Sequence, residues 1–158
     1  MSFVTDYLAR RGVAFEVAGH PRAVTSLDEA RALGITADQV VKTVMLATDR
    51  GPALLIVPAS RRLDLRLARD AVGDPTARLA TEGELQEAFA ECELGALPPL
   101  GSLLGAAAFL DPEVLEHDTV MFAAGTQTES VKARAADVFR DEQVTVTPLV
   151  HDPDRDSE

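Results

Sequence analysis

The spacing of apolar and polar positions changes several times along the chain, and each change marks an element. Residues 40–48 and 53–57 are β-branched and aliphatic runs separated by Asp49-Arg50-Gly51-Pro52, the pattern of a hairpin at the centre of a sheet. Leu63, Leu65, Leu67, Ala68, Ala71 and Val72 recur instead with helical spacing, interleaved with charge, and predict a helix. A first helix is expected over 3–10, with Phe3 and Leu8 inward and Gly12 as its terminator, followed by a short strand at 14–17. His20-Pro21 marks a turn, because the residue before proline is pushed out of the helical region.

Ser26-x-x-Glu29 has the spacing of a capping box and predicts a helix over 27–33 that ends at Gly34. Thr81-x-x-Glu84 is a second box, opening a helix that runs to about Ala90. Beyond it lie a proline-containing loop at 95–101, strands at 106–110, 119–124, 129–132 and 144–149, and a helix at 134–140. Helices and strands do not alternate regularly, and the hairpin implies antiparallel pairing. The expected class is therefore α+β: one domain over residues 1–150, with a central, mostly antiparallel mixed sheet and helices packed around it. Residues 151–158 are polar and charged and read as a disordered acidic tail.

At 158 residues, 46% of them hydrophobic, the chain can fill one core. No signal peptide is visible, and no apolar run approaches the roughly 20 residues that span a bilayer, so a cytoplasmic protein without membrane contact is expected. The single cysteine rules out an intrachain disulfide, and Cys92 with His20, His117 and His151 lacks zinc-ligand spacing. No metal or cofactor is expected. A net charge of −11 argues against coating nucleic acid through bulk electrostatics. Charge is uneven, however: residues 50–78 carry six arginines and three aspartates, a local balance of +3 that leaves −14 elsewhere. An acidic body with one basic patch can still hold a short stretch of phosphate backbone.

Lys42 is one of two lysines and lies inside a predicted strand, sharing its face with Val40, Val44 and Leu46. An ammonium against an apolar surface would hold an anion strongly; the alternative is a lysine whose stem packs while its head reaches water. Gly95-Ala96-Leu97-Pro98-Pro99-Leu100-Gly101 is a loop with glycine at each end and a stiff diproline inside, able to present backbone donors or simply to connect. Arg62, Arg66 and Arg69 fall at i, i+4 and i+7 of the helix expected there, which would put three guanidinium groups on one face, either for phosphates or as a solvated surface with Arg66 paired to Asp70. The Gly-x-Ser-x-Gly elbow, the Walker loop and the dinucleotide fingerprint are all absent.

In order, the opening helix, His20-Pro21, Thr25 to Glu29-Ala30, Val41-Lys42-Thr43-Val44, the Gly95–Gly101 loop and Ala123-Ala124-Gly125-Thr126 resemble the YbaK/ProX family of aminoacyl-tRNA deacylases, over about residues 2–149. The resemblance implies a trans-editing enzyme that hydrolyses the ester of a small mischarged amino acid, such as cysteine or alanine on prolyl tRNA, without a protein nucleophile. It implies that Lys42 engages the acceptor end and that backbone at Gly95 and Gly101 orients the ester. Contacts to substrate are implied at His20, Thr25, Thr43, Pro98, Pro99, Gly125 and Thr126; contacts to phosphates at Arg62, Arg66 and Arg69 are expected from their helical spacing alone. The implied partners are a mischarged tRNA and a prolyl-tRNA synthetase, for a monomer or weak dimer. Thr43 after the lysine is similar to the cysteine-removing branch, and no histidine follows Gly125. A non-catalytic module of the same fold, holding an aminoacyl or nucleotide ligand or a synthetase, is the competing expectation.

Overall fold

The computed structural model of the protein describes residues 2–152. The expected hairpin is its centre. Strand β2 (Val41–Thr48) pairs antiparallel with β3 (Gly51–Pro58) from Val41 opposite Pro58 to Thr48 opposite Gly51, closed by a two-residue turn. A short β4 (Arg78–Leu79) pairs with Leu46 and Ala47 of β2. On the far side β5 (Ala107–Leu110) runs parallel to β3, and β8 (Val144–Val146) parallel to β5. The sheet order is β4-β2-β3-β5-β8.

A second, three-stranded antiparallel sheet has β7 (Glu129–Arg134) between β1 (Phe15–Gly19) and β6 (Thr119–Ala123). One isolated bridge, Val40 to Met121, links the two sheets. The α+β class and the mixed pairing agree with expectation, but the strands divide into two sheets where the sequence suggested one.

Apolar residues of β3 point to both sides, which is why 53–57 reads as an unbroken run. Leu54 and Ile56 join Val41 and Met45 in the main core, with Val4 and Leu8 of α1 (Phe3–Arg10), Phe89, Leu97 and Phe122. Ala53, Leu55 and Val57 join Leu46, Ala68 and Leu149 on the opposite face, covered by α3 (Leu65–Val72). Burial of this kind contributes roughly 1.5–3 kcal/mol for each large apolar side chain.

Several boundaries differ from expectation for identifiable reasons. Helix α2 (Ser26–Leu33) is capped by Thr25, whose hydroxyl accepts from the Asp28 N–H; Ser26 is already helical and Glu29 is drawn inward. The Thr81–Glu84 box forms as expected at the start of α4 (Glu82–Ala88). Helix α3 begins at Leu65, because the Asp64 carboxylate caps the N–H groups of Arg66 and Leu67. Arg62 therefore lies before the helix, and the three-arginine face is not formed. The 95–101 loop closes one residue early, as Gly101 opens α5 (Gly101–Leu104). The last helix is short, α6 (Ala135–Phe139).

Of the expected tail, His151 is tied to the body: its N–H donates to the Arg62 carbonyl at 2.6 Å and its carbonyl accepts from Arg61 at 3.1 Å. Residues 153–158 lie outside the described residues. Among the described residues no helix is long and apolar enough to cross a membrane.

Candidate functional site

The outer edge of strand β2 is covered near its end by β4 at Leu46 and Ala47 and by the Ala80 N–H on the Met45 carbonyl, and at its start by the bridge from Val40 to Met121. Beside the uncovered part opens a cleft of about 340 Å³. Its floor is Lys42 to Met45, one wall is Val24 to Ser26, and the other combines Leu85 and Phe89 with Cys92, Leu94, Gly95 and Leu97. Most of that lining is apolar, so a ligand here meets few but well-defined polar groups.

Lys42 is one of those groups. It is half-buried, and no carboxylate lies within ion-pair distance among the described residues. Loss of hydration pushes its ammonium below the usual lysine range. A cation held in this way gains when an anion arrives, since pairing offsets the hydration already lost. The Thr43 hydroxyl is buried and lacks a hydrogen-bond partner among the described residues.

Gly95 faces this floor with φ +76°, and an added Cβ would come within 1.7 Å of the Val24 carbonyl oxygen. Only glycine lets the two walls approach so closely. No acceptor takes the Gly95 N–H among the described residues. The loop is held from behind: Glu93 N–H donates to the Gly125 carbonyl, Gly125 N–H to the Ala96 carbonyl, and the Gln127 amide to the Leu94 carbonyl.

The cleft thus gathers Lys42, Thr43, Thr25 and Gly95. The other expected contacts lie elsewhere. Pro98 and Pro99 are buried in the body, so Leu94, Gly95 and Leu97 form the wall expected of the diproline. Gly101 packs against strand β5, where a Cβ would come within 2.7 Å of the Ala106 carbonyl oxygen. Gly125 braces the loop and fits beneath the Phe3 ring, while the Thr126 hydroxyl is buried without a partner among the described residues. Arg62 and Arg66 are exposed, and Arg69 donates from Nε to the Ala77 carbonyl at 2.7 Å.

His20 also stands off the cleft, in a chain of hydrogen bonds that the sequence did not reveal. Its Nδ1 bonds the Pro21 carbonyl at 2.8 Å and its Nε2 meets the Ser130 hydroxyl at 2.9 Å; Ser130 in turn bonds buried Glu29. Burial pushes the Glu29 carboxyl above its ordinary range, against the opposing pull of Ser130 and His20. With the bonds from His20 N–H to the Thr128 carbonyl and from Ala23 N–H to the Gln127 carbonyl, this chain fixes the segment that carries Val24 and Thr25. The Ser26-x-x-Glu29 spacing was the available signal, but it pointed to a local cap.

Cys92 lines the cleft too. Burial, aided by Glu91, pushes its thiol up to about 11, so at neutral pH it is protonated and a poor nucleophile.

The family model described as aminoacyl-tRNA editing domain matches residues 20–140, which includes every cleft-lining residue. The chain belongs to the aminoacyl-tRNA editing domain family. Solved structures agree with this membership. A candidate trans-editing enzyme for prolyl-tRNA synthetase is 29% identical, with 94% of this chain and 95% of that one covered and a TM-score of 0.82. A scaffold protein used in epitope backbone grafting is 26% identical at the same coverage and TM-score. A hypothetical protein at 19% identity, covering 94% of this chain and 99% of that one with a TM-score of 0.85, shares the fold. No curated protein matches the chain.

Proposed function

We propose that this editing-domain protein is a free-standing deacylase that hydrolyses the ester joining a small amino acid to the terminal ribose of a tRNA. The observation that carries the reading is half-buried Lys42, without a carboxylate partner among the described residues, lining the floor of a cleft whose wall offers the Gly95 N–H, which no described acceptor takes. Lys42 pairs with a phosphate of the acceptor end, and the Gly95 N–H meets the ribose beside the ester.

Water then attacks the ester carbonyl carbon. The bond from that carbon to the ribose oxygen breaks, and the ribose oxygen takes a proton, leaving free amino acid and intact tRNA. The protonated Cys92 thiol supports a mechanism without a covalent enzyme intermediate. An aminoacyl ester is already reactive, so positioning and charge stabilisation supply much of the acceleration needed.

The apolar lining and the small volume favour a small side chain. Cysteinyl and alanyl esters are the first to test, on prolyl tRNA because a relative is named for prolyl-tRNA synthetase. One methylene changes discrimination by only about 1–3 kcal/mol, and such errors are what an editing step removes.

In a panel of defined mischarged tRNAs, the protein should release at least one small amino acid. Lys42→Ala should lower kcat/KM by about 10²–10³ without a change in the fold by circular dichroism, the range seen when one stabilising charge or donor is removed. A panel without turnover, or full activity in the Lys42→Ala variant, would overturn the proposal.

A further inference from the structure

The direction of the backbone groups along β2 is fixed by three hydrogen bonds outside its ladder with β3. Ala59 N–H donates to the Val40 carbonyl, so residues 40, 42 and 44 turn their peptide groups toward β3. Ala80 N–H donates to the Met45 carbonyl from the opposite side, so odd-numbered residues face the outer edge. Ile56, opposite Thr43, has its carbonyl taken by the Asp111 N–H beyond β3, as the same alternation requires. The N–H and C=O of Thr43 therefore point away from the sheet.

Neither β4 nor the segment that follows it pairs with them. β4 engages residues 46 and 47, Ala80 stops at Met45, and the next outward residue is Thr43, which lines the cleft. Its hydroxyl is also buried and without a partner. One donor, one acceptor and one hydroxyl thus stand together beyond the reach of β4, the hydroxyl buried without a partner among the described residues. Buried polar groups normally have partners.

An α-aminoacyl group carries the complement. Its α-amino N–H and its carbonyl oxygen are separated like those of one peptide residue, and that pair is what an antiparallel neighbour presents to an open edge. We propose that the aminoacyl end of the substrate binds as a one-residue continuation of the sheet, its amino group donating to the Thr43 carbonyl and its ester carbonyl accepting from the Thr43 N–H. This assignment rests on the deacylase reading for its ligand. It adds that the main chain of Thr43 recognises the α-amino group and polarises the ester carbonyl. Strand pairing also fixes which way the substrate side chain leaves the edge, so L and D substrates direct it to opposite sides.

Two substitutions separate the groups. Thr43→Val removes the hydroxyl and keeps the N–H; Thr43→Pro removes both, at an outward edge position where proline leaves the ladder intact. Both variants and the wild type are compared on the best ester of the panel and in calorimetric titrations with a 3′-aminoacylamino-3′-deoxyadenosine, whose amide is not hydrolysed. Thr43→Val is expected to lose less than 10-fold in kcat/KM, and Thr43→Pro a further 10²-fold or more with unchanged melting temperature. Independently of any variant, the wild-type protein should hydrolyse or bind the deamino (acyl) analogue at least 10-fold less well than the aminoacyl compound.

Equal activity of Thr43→Pro and Thr43→Val, or equal use of aminoacyl and deamino compounds, overturns the pairing even if the protein is a deacylase. If no ester is turned over, the same rank order in the binding titrations upholds the pairing while the deacylase reading fails. Should Thr43→Pro not fold, the comparison of aminoacyl and deamino compounds on the wild type decides alone.

Discussion

Two links, His20 Nε2 to Ser130 Oγ and Ser130 Oγ to Glu29, need two protons between them, and Ser130 supplies one. Nδ1 of His20 is already committed to the Pro21 carbonyl, so the second proton belongs either to an imidazolium or to a neutral Glu29 carboxyl. Burial favours the neutral carboxyl, and this gives the pH dependence its sign. A carboxyl whose folded value is raised stabilises the fold below its unfolded value near 4.5, and that stability is lost as pH rises through the folded value. Glutamine reproduces the neutral donor. Glu29→Gln should therefore melt with the wild type near pH 4 and above it at pH 8; a constant gap across that range would refute the assignment. Ser130→Ala, which leaves both neighbours unsatisfied, should cost about 1–3 kcal/mol by chemical denaturation. At this scale the sequence made Lys42 and Gly95 legible, one as a rare cation in an apolar strand and the other as a loop glycine. Glu29 was visible but misassigned, because its partner lies 101 positions away in sequence.

Asp74 does for neighbouring elements what Glu29 does for side chains. Its carboxylate accepts from the Asp49 N–H in the hairpin turn at 2.9 Å, and from the Thr76 N–H and hydroxyl, so it pins the β2–β3 turn to the segment between α3 and β4. The Thr76 hydroxyl, with the backbone donors, holds the acid down to about 2. A depressed carboxylate contributes stability above its unfolded value near 3.8 that is lost as pH falls through about 2. Melting temperatures taken between pH 5 and pH 2 should fall for the wild type and fall less for Asp74→Ala, which starts lower; parallel curves would contradict this. Elements set by local chemistry were legible in the sequence, including the hairpin and the Thr81 cap. Elements bounded by a single side chain were not, since the Asp64 cap decides where α3 starts and thereby removes Arg62 from it.

The whole molecule must bring an acidic body to a polyanion. Helix α3, with Arg66 and Arg69, covers the sheet face opposite the core that contains Phe89 and Leu97. An acceptor strand that touches both these arginines and the cleft has to pass the open edge of β2. Arg66→Ala should raise KM several-fold with kcat unchanged and lower the salt slope of binding by about 0.7 for each single-strand phosphate that is no longer neutralised. A change in kcat alone would place Arg66 outside that path. Arg69→Ala should also lose stability, because its Nε supports the Ala77 carbonyl. The α+β class followed from the irregular order of elements. The division into two sheets did not, since a lone bridge between Val40 and Met121 has no signature in either strand.

The only cysteine of the chain sits in the cleft wall, and this turns a poor nucleophile into a convenient reporter. With its thiol held near 11, alkylation by a maleimide should be slow at neutral pH and accelerate about tenfold for each pH unit below that value, following the thiolate fraction. Any compound seated between Lys42 and Gly95 would shield it, so the mass gained on alkylation measures occupancy directly, without a radiolabelled tRNA or a completed turnover.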